Sequence, residues 1–213
     1  MGSFPGSPRT LRGAIISVAS TDPVPRVVTF QFNPDRVTRS LSPRSAPAAA
    51  AAAPGDAMRS PGAPVESISM TVEVDAADQL ESGDPVAATV GIAPQLAALE
   101  MLLYPSTAQV VASSALLLAG TIEILPPEAP LTVLAWGPTR VVPVRLTGLS
   151  VTEEAFDQAL NPIRASVALS AQTLSYHDLQ ITDAGYSLFV AHQVIKETLA
   201  STASARSAIT AGP

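Results

Sequence analysis

Between Val65 and Asp75 the sequence alternates cleanly. Ile68, Met70, Val72 and Val74 fall on one side, and Ser67, Ser69, Thr71 and Glu73 on the other. Only an extended strand has a period of two, so this segment shows one face to a core and one to water. The pattern returns near the end of the chain, where Ile163, Ala165, Val167, Leu169 and Ala171 alternate with Arg164, Ser166, Ser170 and Gln172. Strands that are wet on one side belong to antiparallel sheets, because parallel sheets are covered on both faces. A chain carrying two of them needs further strands to enclose the apolar side.

Those strands are legible. Ala14, Ile16 and Val18 alternate within Leu11–Val18, and Val28, Phe30 and Phe32 alternate with Thr29 and Gln31 until Asn33-Pro34 stops the run. Leu131–Trp136 predicts another strand, ended by Gly137-Pro138. In Val141–Val151 the apolar phase holds at Val142, Val144 and Leu146, slips at Gly148 and resumes at Leu149 and Val151, which predicts a β-bulge. Asp157 to Pro162 then predicts a hairpin turn.

Helical spacing occurs twice. Ile92, Leu96, Leu99 and Leu103 form one stripe, with Pro94 in the first turn and Pro105 as the stop. A C-terminal helix over 181–200 is expected, N-capped by Asp183, with Leu188, Ala191, Ile195 and Leu199 facing inward. Residues 76–91 read as an acidic, irregular connection. Residues 106–120 fit either a short helix or a buried loop. The apolar run Val110–Gly120 within them is about half a bilayer span and reads as buried core or interface. Residues 1–10 read as a flexible lead and 201–213 as a fraying tail. The Ala/Pro-rich stretch 42–64 reads as a mobile loop, either a solvated insert or a contact loop that orders on assembly. The sum is about six strands, a central helix and a C-terminal helix: a mainly β (α+β) domain over 11–180, an antiparallel barrel or sandwich.

The same residues argue against chemistry. There are no cysteines, and the two histidines, His177 and His192, stand fifteen positions apart, which suits surface or capping groups better than metal ligands. Asp75 and Asp78 read as a solvated loop, and the neighbours Glu153 and Glu154 point apart. Neither a Gly-x-Ser-x-Gly elbow nor a phosphate loop occurs. Trp136, the only tryptophan, reads as a core plug whose indole N–H bonds a nearby carbonyl. No catalytic residue, cofactor or metal is expected. A net charge of -6 with a single lysine, Lys196, argues against nucleic acid as a partner. The N-terminus lacks the basic start and apolar stretch of a signal peptide, so a cytoplasmic protein without direct membrane insertion is expected. Charged residues make up 14% of the chain against roughly 25% in ordinary soluble domains, which suggests surface hidden against neighbours.

Four ordered stretches carry a resemblance. Phe30-Gln31-Phe32-Asn33-Pro34 is followed by Val37, Arg39 and Ser40. Ile68 to Asp75 closes on an acidic residue. Leu134-Ala135-Trp136-Gly137 follows the prolines Pro126-Pro127. Val144 to Phe156 leads into Asn161-Pro162-Ile163-Arg164-Ala165. In that order, from about residue 11 to 176, they resemble the tube-like N-terminal domain of contractile injection system proteins. The resemblance implies a tube-like β-barrel that assembles into a bacterial, phage-tail-like particle as a six-fold ring. It implies tube protein, spike hub and other baseplate proteins as partners, with Phe30, Phe32, Asn33, Pro34, Trp136, Gly137, Phe156 and Arg164 as assembly positions. The LysM-like module that follows this domain in many such proteins is not matched here. The implied role is a structural ring at the junction of baseplate and inner tube. The alternatives are an inner-tube or tube-end subunit of the same particle, which is released or acts inside the producing cell, and a stand-alone β-sandwich binding module.

Overall fold

The computed structural model describes residues 11–19, 22–44, 62–118, 120 and 130–210. The lead 1–10, most of the 42–64 stretch and the last three residues lie outside the described residues. The protein is mainly β, a seven-stranded antiparallel sheet with five helices. In chain order the strands are β1 (Ala14–Ala19), β2 (Asp22–Thr29), β3 (Val37–Ser42), β4 (Val65–Asp75), β5 (Leu131–Ala135), β6 (Val141–Phe156) and β7 (Pro162–Thr173). The helices are α1 (Ala77–Glu81), α2 (Pro85–Val90), α3 (Ala93–Glu100), α4 (Thr107–Leu118) and α5 (Ala184–Thr210). In space the strand order is β2-β1-β5-β6-β7-β4-β3.

The alternating segments pair as their patterns require. Ile68 sits opposite Ala171, Met70 opposite Leu169, Val72 opposite Val167 and Val74 opposite Ala165. All eight are buried. The slip in β6 is a register shift between Leu146 and Gly148, which keeps Leu149 opposite Leu169 and Val151 opposite Val167. The β6–β7 hairpin turns where expected. The Asp157 carboxylate accepts the N–H groups of Ala159 and Asn161, both at 2.8 Å.

One apolar cluster joins Ile15 of β1 and Phe30, just past β2, to Ile68 and Val72 of β4 at the other side of the sheet. The sheet therefore curls around its own apolar face. Near the seam, the Gln31 carboxamide donates to the Asp75 carbonyl at 2.7 Å and accepts the Asp75 N–H at 3.0 Å, two bonds that imitate a rung of a strand ladder. Among the described residues the strand ladders leave β2 and β3 as open edges. An opening of about 390 Å3, bordered by Val28, Val74 and Leu99, lies between β2, β4 and α3.

The helical connection is fastened to this sheet. Asp84 N-caps α2, its carboxylate accepting from Val86 and Ala87, with Pro85 at the start. Gly91 ends α2 at φ 60°, and a Cβ there would stand 2.0 Å from the Pro162 carbonyl oxygen. Only glycine combines that backbone with that approach. The next N–H, of Ile92, donates to the same carbonyl at 2.8 Å. Ile92, Leu96 and Leu99 then enter the core.

Several expectations need correcting. Residues 76–91 are two short helices rather than an irregular link, so Asp75 ends a strand and Asp78 lies in α1. The helical stripe ends on buried Leu102 while Leu103 is 46% exposed, because the chain leaves α-geometry at Met101 rather than at Pro105. Residues 107–118 are a helix with no buried residue, not buried core. In β1 the core residue is Ile15, not Ala14, Ile16 or Val18, so the phase is the reverse of that expected. The second strand stops at Thr29, and Phe30 reaches the core from beyond it. α5 continues past residue 200 to Thr210. Its buried positions are Gly185, Phe189 and His192; of the expected stripe Leu188 and Ile195 are half-buried, while Ala191 and Leu199 face water. The Asp183 carboxylate accepts from Gln180 N–H, so the cap turns backwards, and the Asp183 main-chain carbonyl receives the Tyr186 N–H. Among the described residues no helix is long and apolar enough to cross a membrane.

Candidate functional site

The register of four neighbouring strands merges their polar residues into one surface. Ser40, Ser67, Gln172 and Arg145 form one row across β3, β4, β7 and β6, and Thr38, Ser69, Ser170 and Gly148 form the next. Thr71, Ala168 and Ser150 follow, then Glu73, Ser166 and Thr152. The two polar faces legible in the sequence are thus halves of a single one. It is built from small hydroxyl side chains with little charge. Arg145 is tied to Gln172 by a 3.2 Å hydrogen bond, and at the margin Arg164 bonds Asp75 at 2.7 Å. Burial alone would raise the Asp75 carboxyl, but the N–H of Ala77 and the Arg164 guanidinium outweigh it and hold it below its ordinary value.

The segment after β2 stands over this surface. Phe32, Asn33 and Pro34 border an open cleft of about 830 Å3 whose floor includes Ser69, Thr71 and Ser170. Asn33 positions the segment, since its side chain accepts the Gly13 N–H at 2.9 Å and donates to the Leu11 carbonyl at 2.8 Å. That clamp leaves Phe32 45% exposed at the cleft wall. The Asn-Pro pair, expected to stop the strand, lies four residues past the end of β2, and Asn33 fastens the segment to the chain just ahead of β1.

The other assembly positions separate into two groups. Phe30 and Trp136 meet with ring centroids 6.3 Å apart, above Gly13, where a Cβ would lie 2.6 Å from the indole. Trp136 is half-buried and packs against the core, and its main-chain N–H donates to Arg140 at 2.7 Å. Gly137 makes the following turn at φ 72°. Phe156 is 49% exposed where β6 ends, across from Pro162, and Arg164 lies on the outer face. The structure does not bring all eight together. Phe32, Asn33 and Pro34 share the cleft, Phe30 and Trp136 share the core rim, and Phe156 and Arg164 lie toward the hairpin end of β6 and β7.

Strand β3 (Val37–Ser42) was not among the expected strands, and two further features stand out. The first is the outward side of α4, where Val111, Leu117 and Leu118 are exposed on a helix without a charged residue. The second is a buried polar cluster. Glu66, 5% exposed, receives hydrogen bonds from Arg39 of β3 and from Lys196 of α5, the latter at 3.2 Å. Burial pushes its carboxyl up, but the two cations prevail and hold it below the ordinary range. His192 lies beside it, equally buried, which corrects the surface or capping role expected for it. His177 is exposed and leans on Tyr176. A buried Glu in an otherwise alternating strand was the available signal, because Glu66 holds the inward phase of Ile68 and Met70.

Among the described residues no group of three or more His, Asp or Glu side chains is placed to hold a metal. No protein-family model matches the sequence, and no curated protein matches it.

Proposed function

We propose that this chain is a non-enzymatic ring subunit of a phage-tail-like contractile injection system, placed where the baseplate meets the inner tube and joining the tube to the spike hub. The observation that carries the reading is the continuous, charge-poor hydroxyl face across β3, β4, β7 and β6, flanked by the open edge of β3. An edge strand with free backbone groups is a hazard for a lone domain and an asset for a ring, where each edge meets a neighbour. Pro23 and Pro25 blunt part of the β2 edge, whereas β3 contains no proline. A tube-like barrel is the finer form of this fold, reached when the seam beside Gln31 and Asp75 closes in the assembly. The exposed apolar side of α4 and the low overall charge fit a subunit with neighbours on several sides. In this reading the protein is made in the cytoplasm and acts as part of the particle.

An inner-tube or tube-end subunit of the same particle would share these features. The 830 Å3 cleft beside Phe32 instead favours a stand-alone binding module. Mass measurement in solution and negative-stain imaging, alone and with the matching tube and hub proteins, separate the three. Rings that bind both tube and hub support the junction role. Self-stacking into tubes without hub binding supports the tube role. A persistent monomer that binds neither defeats both in favour of the binding module.

A further inference from the structure

We propose that the C-terminal helix α5 is held on the sheet by a pH-sensitive clasp at His192, which loosens the helix as the pH falls from about 7.5 to about 5.5. None of the buried positions of α5 is a large aliphatic side chain, and Leu188 and Ile195 are only half-buried. Gly185 lies against Leu131, Leu179 and Pro143, Phe189 meets Tyr176 edge-on at 5.8 Å, His192 is buried, and Lys196 reaches Glu66. Such a stripe docks through a few specific contacts rather than through broad apolar area. One of those contacts is an imidazole.

Its surroundings suit only the neutral ring. The Thr139 main chain of the β5–β6 turn interacts with the ring, while Nδ1 is buried without a hydrogen-bond partner among the described residues. A proton arriving at Nδ1 would find no acceptor there among the described residues. The charged groups around the ring also oppose it. Lys196 faces it from its own helix and Arg39 from β3, and Arg140 extends from the β5–β6 turn toward Arg39 and Glu66. Glu66 of β4 is the one carboxylate among these, and Arg39 and Lys196 already engage it. Glu197, exposed, lines a groove together with His192, Glu66 and Lys196. Burial first, then the Lys196 charge, push the imidazole below its ordinary 6.5, against the opposing pull of Glu66 and Thr139.

The sign follows. The released ring takes up a proton near 6.5 and the docked ring resists it, so acid favours release. Each pH unit below 6.5 weakens docking by up to about tenfold. Glu66 loses its charge only below its ordinary 4.5, outside this window.

Hydrogen exchange of the full chain, corrected for intrinsic rates, tests the clasp. Protection across residues 186–200 should fall about tenfold between pH 7.5 and 5.5, with β4 and β7 unchanged. H192Q keeps a neutral polar side chain at the site and should abolish the pH response, whereas H177Q should retain it. Should H192Q fail to fold, NMR of the H177Q protein follows the His192 ring directly. Its titration should coincide with the loss of α5 protection. Flat protection in the wild-type chain, an undiminished response in H192Q, or a ring that titrates while α5 stays protected would each overturn the proposal.

Discussion

The β4–β7 pair and helix α4 are both rich in apolar side chains, yet their fates differ completely. In β4 and β7 every second residue is buried, and Val167 is fully enclosed between Val72 and Val151. In α4 nothing is buried, and Leu118 is 91% exposed. Hydrophobic content alone therefore does not decide burial. Alternation gives a strand one uninterrupted apolar side and a ladder of backbone bonds that fixes its partner. TAQVVASSALLL spreads its apolar residues around the helix, so no single side commits it to the core.

The comparison breaks most sharply at Val167. V167D would place an unpaired carboxylate in the middle of the sheet, and no cooperative unfolding transition should remain in a urea melt. The milder L169A should keep the transition but lower stability by about 2–5 kcal/mol. Gly91 lies between the two regions, where the helical connection meets the hairpin. G91A forces a side chain onto the Pro162 carbonyl and should cost about 1–3 kcal/mol, read from the same melt.

Glu66 tests the polar exception inside the ordered region. E66Q leaves Arg39 and Lys196 without their counter-ion, and because both are partly exposed the loss should stay near about 1 kcal/mol at pH 7. The carboxyl is held below its ordinary value in the fold. Its contribution is thus complete above pH 4.5 and disappears as the pH falls through the lowered value. E66Q should remove that acid-side slope from a pH series of melts. The smallest effect belongs to α4. The double change L117S/L118S should alter stability by less than about 0.5 kcal/mol. If these residues face neighbours in a ring, the same change should reduce assembly in the mass measurement, so stability and association would part company there.

Legibility followed the same division. Asn33-Pro34 reads as the strand's stop, yet β2 ends at Thr29, and the clamp of Asn33 on Leu11 and Gly13 joins residues about twenty positions apart, which no local pattern records. Trp136 was readable as a packing residue because its neighbours are apolar, while its partner Phe30 comes from beyond the end of β2. β1 was found and its phase misjudged. Both Ile15 and Ile16 are apolar, and only the curl of the sheet makes the first the core residue.

By itself the sequence determined the strands other than β3, the bulge at Gly148, the hairpin at 157–162 and the wet side of β4 and β7. Each of these depends on neighbours two residues apart or on one turn's chemistry. Only the tertiary structure decided that those wet sides join into one surface, that α5 turns Phe189 and His192 inward, that Glu66 is buried between two cations, and that α4 remains uncovered. Periodicity is a property of the backbone, but burial is a property of the partner, and the partner is chosen by the whole curled sheet.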